Sequence, residues 1–260
     1  MKQLIAVLLS LILLVSLTAL AENDLLEDVQ SRGSLVIATE GAWSPWTYHD
    51  ESDQLVGFDV EVARAVAEKL GVEADFVECP WESIFLGIDS KMYDIAANGV
   101  EVTEDRAAKY DFSVPYAYLR TALIVRGDNE DIASFEDLNG KKTANSAGST
   151  YALLAESYGA TTDTVSTLAQ TLDLVLAGRV DATLNAELSF YDYMKEHPDA
   201  NLKIAALSET ASHVAIPVRK GEENAAFLSA VNEAIEALRA DGTLKAISER
   251  YFDIDITSES

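Results

Sequence analysis

The sequence predicts an α/β fold, a mostly parallel sheet covered by helices, and three observations predict it. Short β-rich apolar runs alternate with amphipathic helical stretches along nearly the whole chain. Helix start and stop signals punctuate that alternation, with hydroxyl residues such as Thr103 and Ser134 at starts and Gly71 at a stop. The chain has 260 residues, enough for one large domain or two lobes with real cores.

The first 21 residues read as a secretory signal. Lys2 is the positive start, Leu4 to Leu17 the apolar middle, and Ala19-Leu20-Ala21 an A-x-A cleavage site. The run is short for a membrane span and polar, acidic sequence follows at once, so export is expected; the alternative is an uncleaved anchor. No Cys stands at the cleavage point to carry a lipid.

A helix is expected near Leu25–Gln30 and a strand at Leu35–Thr39, followed by the loop Glu40-Gly41-Ala42-Trp43-Ser44-Pro45-Trp46. One of its tryptophans packs on its own lobe, and two exposed together would mark a binding surface. Val62, Val66 and Leu70 share one face of a helix from Asp59 to Leu70. A strand at Val72–Val77, a helix at Trp81–Ser90 and a strand at Tyr93–Ala97 continue the alternation. A second unit opens with a strand at Thr121–Arg126. A capped turn at Ser134–Gly140, a strand at Lys142–Asn145 and a helix at Tyr151–Tyr158 come next. Helices at Leu168–Ala177 and Glu187–His197 then alternate with strands at Val180–Leu184 and Leu202–Ala206. A strand at Val214–Val218 and helices at Asn224–Ala240 and Leu244–Tyr251 close the chain.

Without Lys2 the chain carries 18 basic and 44 acidic residues, a net charge of −26. Such a surface repels nucleic acid and anionic lipid. Cys79 is the single cysteine, so no intrachain disulfide forms; it reads as a small buried hydrophobe. His49, His197 and His213 lack a metal-ligand spacing, and no nucleotide-binding or hydrolase motif occurs, so neither metal nor cofactor is expected.

The segment from Met92 to Tyr116 carries the chemistry. Asn98-Gly99 breaks the apolar run Ile95-Ala96-Ala97, and Thr103 caps a helix with Glu104 and Asp105 in its first turn. Arg106 beside that positive helix end is unfavourable unless an anion is shared there, and a guanidinium suits a carboxylate. The alternative is pairing with a surface acid. Ser146-Ala147-Gly148-Ser149-Thr150 forms a second such helix start, either an anion site or an ordinary cap.

Leu55-Val56-Gly57-Phe58-Asp59-Val60-Glu61, Tyr93-Asp94-Ile95, Val102-Thr103-Glu104-Asp105-Arg106, Tyr110-Asp111-Phe112-Ser113 through Pro115-Tyr116, Gly178-Arg179-Val180-Asp181-Ala182 and Asp241-Gly242-Thr243 stand in this order. With them the chain resembles the extracytoplasmic solute-binding proteins of polar amino-acid ABC transporters (family 3) from Leu35 to Phe252. The resemblance implies a two-lobe, type II periplasmic-binding-protein fold, each lobe a mostly parallel sheet with flanking helices, joined by two crossover strands. It implies a first lobe of residues 22–117 and 212–260, a second of 118–211, and signal residues 1–21.

The same resemblance implies an amino acid held between the lobes, delivered to a membrane permease by a monomer. Arg106 matches the family's carboxylate-binding arginine, with Ser146, Ser149 and Thr150 on the opposing turn. Asn98 and Gly99 lie where the backbone meets the ligand's α-carboxylate and amine, and Trp43 and Trp81 where aromatics flank its side chain. The family often has a hydroxyl residue where this chain has Glu101, and an Asp for the α-ammonium where it has Ala186. Glu101 takes over that contact, or meets a cationic side chain, or Glu187 serves instead. The loop from Thr39 to Pro45 resembles a cystine-type branch and brings Glu40 to the cleft. The fold also hosts an exported dehydratase, in which Glu101 or Glu40 would act as the acid. A sensor module is the third class; the end of the chain eight residues after Phe252 argues against it.

Overall fold

Strand β1 (Ser34–Thr39) is the axis of the first sheet in the computed structural model, which describes residues 24–259. The expected signal at 1–21 lies outside those residues. β1 pairs in parallel with β5 (Glu73–Glu78) on one side and β6 (Ile95–Ala96) on the other. Helix α1 (Leu25–Arg32) precedes it, and α2 (Phe58–Leu70) buries Phe58, Val62 and Val66. Gly71 ends α2 in the left-handed conformation at φ 75°, where a Cβ would be strained. Helix α3 (Trp81–Asp89) buries Ile84 and Ile88 in a separate cluster with Trp81 and Tyr93. Cys79, expected to be buried, is only half-buried.

Two features depart from the expectation here. The strand at Tyr93–Ala97 narrows to two residues, because the amide of Ala97 reaches Ala38 but only Ile95 and Ala96 keep ladder register with β1. The tryptophan loop, expected to be irregular, folds into a meander of β2 (Ala42–Trp43), β3 (Thr47–His49) and β4 (Leu55–Val56).

The second sheet has the order β11-β10-β12-β9-β13. β10 (Lys142–Asn145) runs parallel to β11 (Thr161–Thr164) and β12 (Ala182–Ala186). β9 (Thr121–Arg126) is antiparallel to β12 and to β13 (Leu202–Leu207). Four of the five strands therefore run the same way, and the strand that brings the chain in, β9, runs against them. β11 is an edge strand of sequence Thr-Thr-Asp-Thr that no apolar pattern announces. Helices α5 (Thr150–Ser157), α6 (Leu168–Leu176) and α7 (Glu187–Glu196) flank the sheet.

The strand expected at Val214–Val218 is two strands. β14 (Ser212–Val214) pairs with β8 (Ala117–Leu119), which leads into β9, while β15 (Pro217–Arg219) pairs with β7 (Tyr110–Phe112). The break at Ala215-Ile216 lets the chain change partner as it re-enters the first lobe. Helices α8 (Ala225–Ala240) and α9 (Thr243–Phe252) then pack on α2, burying Phe227, Val231, Ile235 and Phe252. Among the described residues no helix is long and apolar enough to cross a membrane.

Candidate ligand-binding site

The ends of β1, β6, β10 and β12 and the N-terminus of α5 surround one cavity between the two sheets. About 560 Å³ of space there is free of protein atoms, part of it open to solvent. Nine of the ten residues expected to contact a ligand line it: Glu40, Trp43, Trp81, Asn98, Gly99, Glu101, Ser146, Ser149 and Thr150. Arg106 does not.

Asn98 clamps Glu40 from both ends of its amide. Its Nδ2 donates to the Glu40 carboxylate at 2.6 Å and its Oδ1 accepts from the Glu40 backbone at 2.8 Å. Burial pushes the Glu40 carboxyl above the usual carboxylate range, with the Asn98 hydrogen bond opposing. Gly99 stands at φ 56°, and a Cβ there would sit 2.5 Å from the Trp43 ring. Its amide donates to the buried Asp59 carboxylate, so the group it leaves for a ligand is its carbonyl, an acceptor for an ammonium rather than a donor to a carboxylate.

Glu101 is 5% exposed, and its carboxylate accepts a hydrogen bond of 2.5 Å from Thr150 Oγ1 on the other lobe. Ser149 is spent as an N-cap, its Oγ accepting from the amide of Ala152 at 3.1 Å. Thr103 caps helix α4 (Glu104–Ala107) in the same way, at 3.2 Å from the Arg106 amide. Arg106 leaves that turn to lie over Trp81 and Phe85, 5.1 and 5.3 Å from their ring centroids. Its guanidinium donates to the Glu101 carbonyl at 2.9 Å, and burial lowers its pKa. Its Nη2 also lies 3.5 Å from the Gly148 carbonyl of the second lobe, so the arginine stands against Trp81 between the two facing turns although it is not among the residues that line the cavity.

The tryptophans join the lobes. Trp43 Nε1 donates to Asn185 Oδ1 and Trp46 Nε1 to Ser189 Oγ, each at 3.0 Å. Ser44 Oγ adds a bond of 2.8 Å to Asp192. Trp46 is fully buried, stacked on Trp43 at 5.2 Å with Phe252 beneath it at 5.0 Å. Sequence reasoning missed Asn145, Tyr151, Thr167, Thr171 and Asn185 on the wall. They are scattered over four elements of the second lobe, and no local motif links them. Among the described residues, Glu40 and Glu101 are the charged side chains on the wall, and no Lys, Arg or His lines it.

A cavity shut between two α/β lobes that the chain crosses between twice defines a type II periplasmic-binding-protein fold, a class that closes on its solute. The chain belongs to the bacterial extracellular solute-binding proteins, family 3, whose model matches residues 35–254. It is 40% identical over 235 residues to a probable amino-acid ABC transporter-binding protein of Haemophilus influenzae, covering 90% of this chain and 91% of that one. An L-cystine solute receptor of Neisseria gonorrhoeae, solved unliganded and open, is 39% identical with TM-score 0.59, covering 90% of this chain and 98% of that one. An ancestral arginine-binding protein bound to arginine is 33% identical with TM-score 0.79, covering 85% and 99%. The ligand-bound relative superposes better than the open one despite its lower identity, in keeping with the hydrogen bonds that shut the cleft here. As a member of this family the chain is a binding protein and not an enzyme.

Proposed function

We propose that this protein captures an amino acid, L-cystine first, between its lobes and delivers it to the membrane permease of an ABC transporter. One observation carries the reading: two carboxylates, Glu40 and Glu101, line a cavity without a cation and face the capped N-terminus of α5. That pattern is complementary to the two ammonium groups of L-cystine and to one of its two carboxylates. Glu101 and the Gly99 carbonyl take the α-ammonium, and Glu40, held by Asn98, takes the second. The α-carboxylate meets the first-turn amides of α5 and the Ser146 hydroxyl, with Arg106 supplying positive potential from beside Trp81. Trp43 and Trp81 hold the side chain by area and ring quadrupole. The named relatives, one taking amino acids and one L-cystine, support the ligand class.

The lobes divide at residues 22–117 with 212–260, and 118–211. The mature chain begins after Ala21 and works as a monomer outside the cytoplasmic membrane. A basic amino acid is the second reading, favoured by the same two carboxylates, since a guanidinium replaces the second ammonium. Calorimetric titration of the mature chain with L-cystine, L-arginine and L-glutamine tests both. Tightest binding of L-cystine supports the first reading and tightest binding of L-arginine the second. Binding of none refutes the amino-acid reading.

A further inference from the structure

Tyr151 is the second residue of α5, on the wall of the cavity, and sequence reasoning gave it no role. Its side chain is 8% exposed, and its hydroxyl is the one buried side-chain polar atom among the described residues without a hydrogen-bond partner. Buried hydroxyls are almost always satisfied, so an orphan on a cavity wall calls for an explanation. The amide of Ala186 lies beside the phenol oxygen, but it donates to Asn185 Oδ1 at 2.9 Å and in any case offers no acceptor for the phenol proton. Burial, with the Glu101 carboxylate adding to it, drives the phenol pKa well above its ordinary value, so the group is a hydrogen-bond donor at any physiological pH.

A donor that the protein leaves unmatched needs an acceptor from outside. Two features favour an anionic one at this point. Tyr151 is carried by the first turn of α5, whose amides lack helical acceptors and whose dipole is positive. The Arg106 charge also reaches it, opposing the effect of Glu101. We infer that Tyr151 Oη donates to the α-carboxylate of the bound amino acid, as a ligand-contacting residue of the second lobe. This inference rests on the amino-acid reading of the cleft given above.

The test is Tyr151→Phe, which removes the oxygen and keeps the ring. Calorimetry with L-cystine and L-arginine is run on both proteins, beside thermal melting without ligand. Because both probes carry an α-carboxylate, each should bind about tenfold or more weakly, the scale for losing a hydrogen bond to a charged group. The ligand-free variant should melt at the wild-type temperature or above, since no internal hydrogen bond is lost. Unchanged affinity for both probes overturns the inference while leaving the amino-acid reading in place. So does a weakening confined to one probe, or a lowered melting temperature of the free variant, which would make the hydroxyl a support of the fold. A wild type that binds neither these probes nor L-glutamine overturns the underlying reading itself.

Discussion

Replacing Ser189 by Ala tests whether the cleft is held shut by the tryptophan loop. In the closed protein Trp46 Nε1 is sealed from solvent and donates to Ser189 Oγ at 3.0 Å, with Ser189 itself buried. The substitution leaves that indole N–H buried without an acceptor, at a cost of about 1–3 kcal/mol. Opening the cleft gives the N–H to water in the wild type and variant alike, so the whole cost falls on the closed state. A ligand that touches both lobes binds only by way of that state, and its apparent affinity falls by up to the same factor, by less to the extent that the free wild type is already closed. That range corresponds to roughly 5- to 150-fold in Kd. Ser44→Ala is the control: its bond to Asp192 spans 2.8 Å at a half-buried rim, where water can replace it, and should cost about 1 kcal/mol or less. Calorimetry measures both affinities, and small-angle scattering of the free proteins should show a larger radius of gyration for Ser189→Ala. Wild-type affinity in Ser189→Ala would refute the reasoning, as would a larger loss in the rim control.

Three further outcomes are expected. Glu101→Gln keeps an acceptor for Thr150 Oγ1 and removes only the charge, so all amino-acid ligands should weaken by a similar ~1.5–3 kcal/mol; titrations showing loss only for L-arginine would put Glu101 on the side chain instead. Gly99→Ala drives a Cβ to 2.5 Å from the Trp43 ring at φ 56°, so melting should reveal a destabilisation of at least about 1–2 kcal/mol and titration a weakened ligand, and wild-type behaviour in both would count against this geometry. Burial raises the Asp59 carboxyl to about 7 although Tyr116 and Gly99 donate to it. The native state therefore holds this proton more firmly than the unfolded chain, and its stabilising contribution is full below the ordinary carboxylate pKa and lost as pH rises through 7. Melting of wild type and Asp59→Asn across about pH 4.5 to 7.5 should show the wild type's advantage shrinking with rising pH, and a constant difference would exclude this role.

Local rules carried most of the elements. Helix α2 follows from the spacing of Val62, Val66 and Leu70 and the stop at Gly71, and the cap at Thr103 from a hydroxyl before two acids. Nine of the ten residues expected to contact a ligand line the cavity, six of them in the Asn98–Glu101 and Ser146–Thr150 stretches, whose order matches the family. Each of these depends on interactions within a few residues, which neighbouring sequence records.

What depended on tertiary structure was everything settled by partners distant in the chain. β11 is a strand only because β10 presents a ladder to it, and its four polar residues have no pattern to read. Val214–Val218 breaks in two because β8 and β7 lie in different parts of the fold. Arg106 lies over the rings of Trp81 and Phe85, 25 and 21 residues before it in sequence. The hydrogen bonds of Trp43 to Asn185 and of Trp46 to Ser189 link residues 142 and 143 positions apart. The sequence alone determined the fold family, the turns and half of the polar side chains of the cleft. Closure, and the orphan hydroxyl of Tyr151, were decided by packing between lobes, since a hydrogen bond at such separation leaves no periodicity in either segment that makes it.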